Sequence, residues 1–144
     1  MPPAFSVRPA VWRDDENAIA QVRRAVFIEE QGVPESLEWE ARDPECLWFL
    51  ARAPLDGAIG VARLTPENRV GRMAVLKAWR RRGVGRALLQ AALAAARDRG
   101  QRRVELSAQV HALPFYARQG FAAVGPAYLD AGIPHRTMIL EFSP

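Results

Sequence analysis

Between Val70 and Ala108 the sequence reads strand, arginine–glycine turn, helix, glycine stop and strand, and no other stretch narrows the fold as much. Val70-Gly71-Arg72-Met73-Ala74-Val75 has the length of a short strand, and Arg80-Arg81-Arg82-Gly83-Val84-Gly85-Arg86 is a basic turn. From Ala87 a helix follows whose buried stripe is Leu88, Leu89, Ala92, Leu93 and Ala96, spaced three and four apart. Gly100 supplies a left-handed stop, and Val104, Leu106 and Ala108 alternate as the next strand. A strand–helix–strand unit of this size joins two parallel strands by a right-handed crossover, so the chain contains a sheet with a helix on its face.

The turn also bears on function. Gly83 and Gly85 remove side chains that would keep a ligand from the backbone, and the first N–H groups of the helix lack intrahelical partners. Those donors, at the positive end of the helix dipole, suit a phosphate group. A solvated basic turn leading into a core helix fits the same spacing, and spacing alone leaves both readings open. The pattern is not a dinucleotide fingerprint, because Leu88 stands where the third glycine belongs, and no Gly-Lys-Ser/Thr follows to make a P-loop.

The 144 residues suit one domain, 1–144, and 49% apolar with 25% charged residues suits a globular chain with an ordinary core. No apolar run approaches the ~18 residues of a membrane span and no signal segment opens the chain, so a cytoplasmic protein is expected. The single cysteine, Cys46, cannot form an internal disulfide and reads as core or interface filler. With two separated histidines it offers no ligand spacing, so no metal is expected. Nineteen of the twenty basic residues are arginine, and the net charge is +4. The excess is local: Arg80, Arg81, Arg82 and Arg86 cluster beside the glycines, whereas acids dominate Asp14-Asp15-Glu16 and the stretch from Glu29 to Glu45. A small polyanion fits that distribution better than nucleic acid, which would be held by a steeply salt-dependent basic surface.

Phe5, Val7 and Val11 alternate as an opening strand that Pro9 confines to an edge. Asp14 or Asp15 caps a helix carrying Ile19, Val22 and Val26, which stops at Gln31-Gly32. An acidic segment with a helical turn spans 33–42. Leu47 to Ala53 and Ala58 to Thr65 form a hairpin around Asp56-Gly57. Pro114 opens a short helix that ends by Gly120, and Phe121 to Val124 and Thr137 to Phe142 are the last strands. The expected architecture is α/β (α+β): one mixed sheet of six or seven strands with helices on both faces.

Arg80-x-x-Gly83-x-Gly85, preceded by Gly71-Arg72-Met73-Ala74-Val75, resembles the acyl-CoA signature of the GNAT N-acetyltransferases. Phe115-Tyr116-Ala117-Arg118-Gln119-Gly120-Phe121 resembles a later segment of that superfamily. Val26-Phe27-Ile28-Glu29-Glu30-Gln31 and Gly132-Ile133-Pro134-His135 resemble its small ElaA-like branch. The likeness runs in order along nearly the whole chain. It departs at Glu40 and Trp48, where the branch often has Asp and His.

The resemblance implies a mostly antiparallel sheet and acetyl-CoA as co-substrate. The pyrophosphate is expected on the amides of Arg81, Arg82, Gly83, Val84, Gly85 and Arg86, with Arg80 and its neighbours adding charge-assisted contacts. The pantetheine amides are expected along Met73, Ala74 and Val75, in a splay between that strand and Leu106–Ala108, and a backbone N–H near Met73 is expected to hold the developing oxyanion. Tyr116 occupies the position of a general acid for the departing thiolate. Glu38, Glu40, Asp43, His111 and His135 are the candidate bases or acceptor-site groups. The acceptor is a small-molecule or peptide amine, and a homodimer is left open. A non-catalytic acyl-CoA sensor is the alternative, ahead of a basic nucleic-acid binder.

Overall fold

The computed structural model describes residues 4–143. Seven strands form one sheet: β1 (Ser6–Pro9), β2 (Leu47–Ala53), β3 (Gly57–Leu64), β4 (Arg69–Val75), β5 (Arg103–Gln109), β6 (Ala122–Asp130) and β7 (Ile133–Glu141). Four α-helices connect them: α1 (Trp12–Arg23), α2 (Glu35–Glu38), α3 (Val84–Asp98) and α4 (Leu113–Arg118). The sheet order is β1-β2-β3-β4-β5-β7-β6. Only β4 and β5, the strands joined through α3, pair in parallel; every other neighbouring pair is antiparallel. The expected mixed, mostly antiparallel sheet is therefore present, with the higher strand number.

Alternation along the central strands gives each face its own core. Leu50, Val61 and Ala74 pack with Ile19, Val22 and Val26 of α1, while Ala51, Ile59 and Ala62 pack with Leu88, Leu89, Ala92 and Ala96 of α3. Gly60 lets α3 seat on β3, because a Cβ there would lie 2.9 Å from Leu88 Cδ1 and 3.1 Å from Val84 Cγ1.

Several boundaries differ from the sequence reading for local reasons. Helix α1 begins at Trp12, ahead of Asp14 and Asp15, and Asp15 Oδ2 accepts the Val11 N–H at 2.8 Å from inside the first turn. It then continues through Arg24–Glu30 with wider π-helical winding, in which the Gln31 N–H donates to Val26 O at 3.0 Å. Pro114 is the second residue of α4 rather than its first. Strands β6 and β7 are longer than Phe121–Val124 and Thr137–Phe142. Gly125-Pro126 is absorbed in an irregularity between Val124 and Tyr128 on the outer strand, where a missing N–H breaks no ladder. Ala131 and Gly132, at φ 52° and 78°, make the hairpin turn, which puts Ile133-Pro134-His135 at the start of β7.

Candidate functional site

The site is a gap in the sheet. β4 and β5 pair only at Arg69↔Glu105 and Val70↔Leu106, although β4 continues to Val75 and β5 to Gln109. Beyond those pairs β4 and β5 have no ladder at Met73–Val75 and Ser107–Ala108, where the resemblance implies a splay, although Leu106, also expected there, still pairs with Val70. A cleft of roughly 1370 Å³ runs along the gap, and its walls include Met73, Ala74, Val75, Gly83, Gly85 and Tyr116.

At one end lies the arginine–glycine turn. Arg81 and Gly83 are left-handed, at φ 63° and 85°, and Gly83 leads straight into α3. The Trp79 indole N–H donates to Asp56 Oδ2 at 2.5 Å, and the Arg82 guanidinium stacks over that ring at 4.7 Å. Among the described residues no carboxylate pairs with Arg81, Arg82 or Arg86, so this lip keeps its positive charge. Arg80 differs: its guanidinium grips Glu30 at 2.7 and 2.6 Å, and its Nε–H donates to Val75 O at 3.0 Å. Val75 O therefore points away from β3, into the open side of β4.

Tyr116 stands on the α3 side of the gap. Its half-buried ring meets Phe115 and Phe121 edge-on, at centroid distances of 5.0 and 6.0 Å. Burial pushes its phenol up to about 12, so the hydroxyl keeps its proton throughout the ordinary pH range.

The other candidates differ in burial and in partners. His135 is buried, and its Nδ1 lies 2.6 Å from Ile133 O. A carbonyl only accepts, so Nδ1 holds the proton and Nε2 of the neutral ring carries the free lone pair. His111 is exposed on the cleft rim, in the turn Val110–Ala112. Glu40 is bound by Arg63 at 2.6 Å and Arg72 at 3.0 Å. Burial works to raise its carboxyl, but those guanidiniums win and hold it below the usual range, which makes it a weak base. Asp43 is likewise buried, yet the Glu40 N–H, Arg23 and Arg63 pull its carboxyl down. At Glu38 burial wins over Arg23 and Arg72, and the carboxyl is raised. Cys46 is buried, which pushes its thiol up and fits the filler reading.

The sequence reading named these acids without their partners. Arg23 lies between the Trp39 and Trp48 rings, 4.8 and 4.9 Å from their centroids, and binds Glu38 at 2.8 Å and Asp43 at 2.9 Å. Arg63 and Arg72 complete a set of three guanidiniums and three carboxylates that ties the 34–46 segment to α1, β3 and β4. A signal existed: Arg23 and Arg63 interrupt otherwise apolar stripes, and a charge in such a place is buried only when paired. Among the described residues no cluster of histidine, cysteine and acids is arranged to hold a metal.

Residues 13–142 match the model of the family described as the acetyltransferase (GNAT) domain. The chain is 36% identical over 126 residues to the uncharacterized N-acetyltransferase YjcF of Bacillus subtilis, covering 83% of this chain and 88% of that one. Among solved structures it is similar to Escherichia coli ElaA, at 25% identity and TM-score 0.77 over 95% of this chain and 99% of ElaA. It is equally similar in shape to an acyl-CoA N-acyltransferase from Pseudomonas aeruginosa, at 28% identity and TM-score 0.77 over 94% and 99% of the two chains. A parallel β4–β5 pair that opens toward the start of α3, and a family match spanning nearly the whole chain, lead to one conclusion: the chain belongs to the GNAT acetyltransferase family.

Proposed function

We propose that this protein is an acetyl-CoA-dependent N-acetyltransferase that moves the acetyl group directly to a primary amine. The observation that carries the reading is the gap between β4 and β5, which opens at one end onto the unpaired arginines and first N–H groups of α3. Pyrophosphate lies on Arg81 to Arg86, and the pantetheine arm adds to the free edge of β4 at Met73–Val75. The thioester carbonyl meets a backbone N–H at Met73. The amine attacks that carbonyl: the C–N bond forms, the C–S bond breaks, and Tyr116 donates its proton to the departing sulfur. His135 Nε2 takes the proton released by the amine, directly or through water. No step needs a metal. The setting is cytoplasmic, in keeping with the absence, among the described residues, of any helix long and apolar enough to cross a membrane.

The test joins calorimetric titration of acetyl-CoA to thiol release across a panel of amines. Binding with turnover is the expected result. Binding with no turnover on any amine favours the acyl-CoA sensor, and absence of binding refutes the cofactor assignment.

A further inference from the structure

Arg72 has φ 47°, a left-handed conformation that is uncommon and strained for an arginine, and it has it inside a strand. Gly71 pairs with Arg63 and Ala74 pairs with Val61, so Arg72 and Met73 together stand opposite Ala62 as a bulge. The bulge lies just past Val70↔Leu106, the last β4–β5 pair, at the point where the sheet opens. Gly71, next door, would take this conformation without strain, yet the sequence puts it on the arginine.

The side chain supplies the constraint. Arg72 Nη2 donates to Glu40 Oε1 at 3.0 Å, and its Nε, buried and without a hydrogen bond, lies 3.4 Å from Glu38 Oε2. Both anchors are themselves fixed: Glu38 by Arg23 at 2.8 Å and Glu40 by Arg63 at 2.6 Å. A rigid wall on one side of the sheet thus holds a strained turn of backbone at the cleft.

We infer that Arg72 is a positioning residue, whose ion pairs with Glu38 and Glu40 hold the left-handed bulge that aims the Met73 N–H at the acyl carbonyl. This rests on the acyl-transfer reading above. It acts through backbone geometry and requires no contact between Arg72 and either substrate. It also gives Glu38 and Glu40 a task other than proton transfer.

Glycine separates the two roles an arginine can have here. Arg72→Ala removes the tether and keeps the strain, whereas Arg72→Gly removes both, because glycine takes a positive φ freely. The readout is the carbonyl carbon resonance of [1-¹³C]acetyl-CoA bound to the protein, which moves downfield as a hydrogen bond polarises the carbonyl and needs no acceptor amine. Wild type is expected to show the downfield shift. Arg72→Ala should bind acetyl-CoA within about threefold of wild type but lose most of that shift, with turnover down about tenfold to a hundredfold, as for a misplaced group. Arg72→Gly should recover at least half of it, and Glu40→Gln should fall between, which keeps the test open if Arg72→Ala folds poorly. A wild-type shift in Arg72→Ala overturns the inference, as does equal loss in the alanine and glycine variants, which would mean that the guanidinium acts on substrate itself. Binding without any shift in wild type overturns the inference alone; failure to bind acetyl-CoA overturns the acyl-transfer reading beneath it.

Discussion

Tyr116→Phe separates chemistry from packing with little interference between the two. The ring's edge-on contacts with Phe115 and Phe121 survive the change, and burial is the sole cause of the raised phenol, with no hydrogen bond contributing. Removing a hydroxyl that holds no partner among the described residues should therefore leave the melting temperature within a degree or two, unlike the ~1 kcal/mol lost with a made hydrogen bond. Acetyl-CoA affinity should change little. Turnover should fall by roughly 10²–10⁴-fold, the range for a lost general acid. Moving a proton from a phenol at about 12 to a water-exposed thiolate near ~8.5 is uphill by roughly 5 kcal/mol. In the proposed mechanism the leaving sulfur would be desolvated in the same cleft, which would raise its basicity too and let the phenol share its proton with sulfur in the transition state. Because the phenol stays protonated, the kcat profile of wild type should show no alkaline fall below about pH 11. The assay is thiol release against pH on an active amine, with melting curves alongside. Near-normal turnover in Tyr116→Phe would refute the assignment, whereas a falling limb between pH 8 and 10 that the variant abolishes would keep Tyr116 as the acid and refute its raised phenol.

Arg23→Ala takes the shared guanidinium from two buried carboxylates, leaving Asp43 to Arg63 and Glu38 to Arg72, and should cost about 3–5 kcal/mol in urea unfolding, with the deficit shrinking as pH falls and Glu38, already raised, takes up a proton. Asp15 is held down to about 2, chiefly by its hydrogen bonds with Arg8, so folding gains from it above its ordinary 3.8 and loses that gain as pH drops toward 2; Asp15→Asn should flatten this acid limb. Gly85→Ala brings a Cβ no closer than 3.6 Å to Phe115 and should leave folding intact while weakening acetyl-CoA in calorimetry, whereas Gly83→Val should weaken it further and add backbone strain at φ 85°. Gln31→Ala breaks the 3.0 Å bond from Gln109 and should speed amide exchange at residues 107–109, with protection restored by acetyl-CoA.

What the sequence made legible was local or periodic. The β2–β3 hairpin follows from two apolar runs around Asp56-Gly57, and α3 from the stripe Leu88, Leu89, Ala92 and Ala96. The arginine–glycine turn and Tyr116 were found as motifs, and the structure brings them to one cleft. What escaped depends on partners far along the chain. The bulge at Arg72 carries no turn residue at the strained position, because its conformation is held by Glu38 and Glu40 more than thirty residues earlier. Glu40 looked like a base because its ionisation is readable, whereas the two arginines that neutralise it are not. The full length of β6 and β7 was hidden by Gly125-Pro126, a break in most strands but tolerable on the outermost one.

The π-helical end of α1 shows why such a gap does not simply close or fray. Sheet strands left without backbone partners expose donors and acceptors that water or a stray chain would take. Here the last residue of the π-helical segment and the one after it reach opposite lips: Glu30 holds Arg80, which holds Val75 O on the β4 side, and Gln31 accepts from Gln109 on the β5 side. The wider winding adds a residue to the turn, which changes the direction in which successive side chains leave the helix. Side chains thus do across the opening what a ladder does elsewhere, and they do it at its end, where Val75 O is the β4 group that they occupy. In the proposed reading, a gap held open in this way would need little further ordering when an extended ligand adds to it. Charge is divided along the cleft: among the described residues Arg81, Arg82 and Arg86 pair with no carboxylate, whereas Arg23, Arg63 and Arg72 each have one.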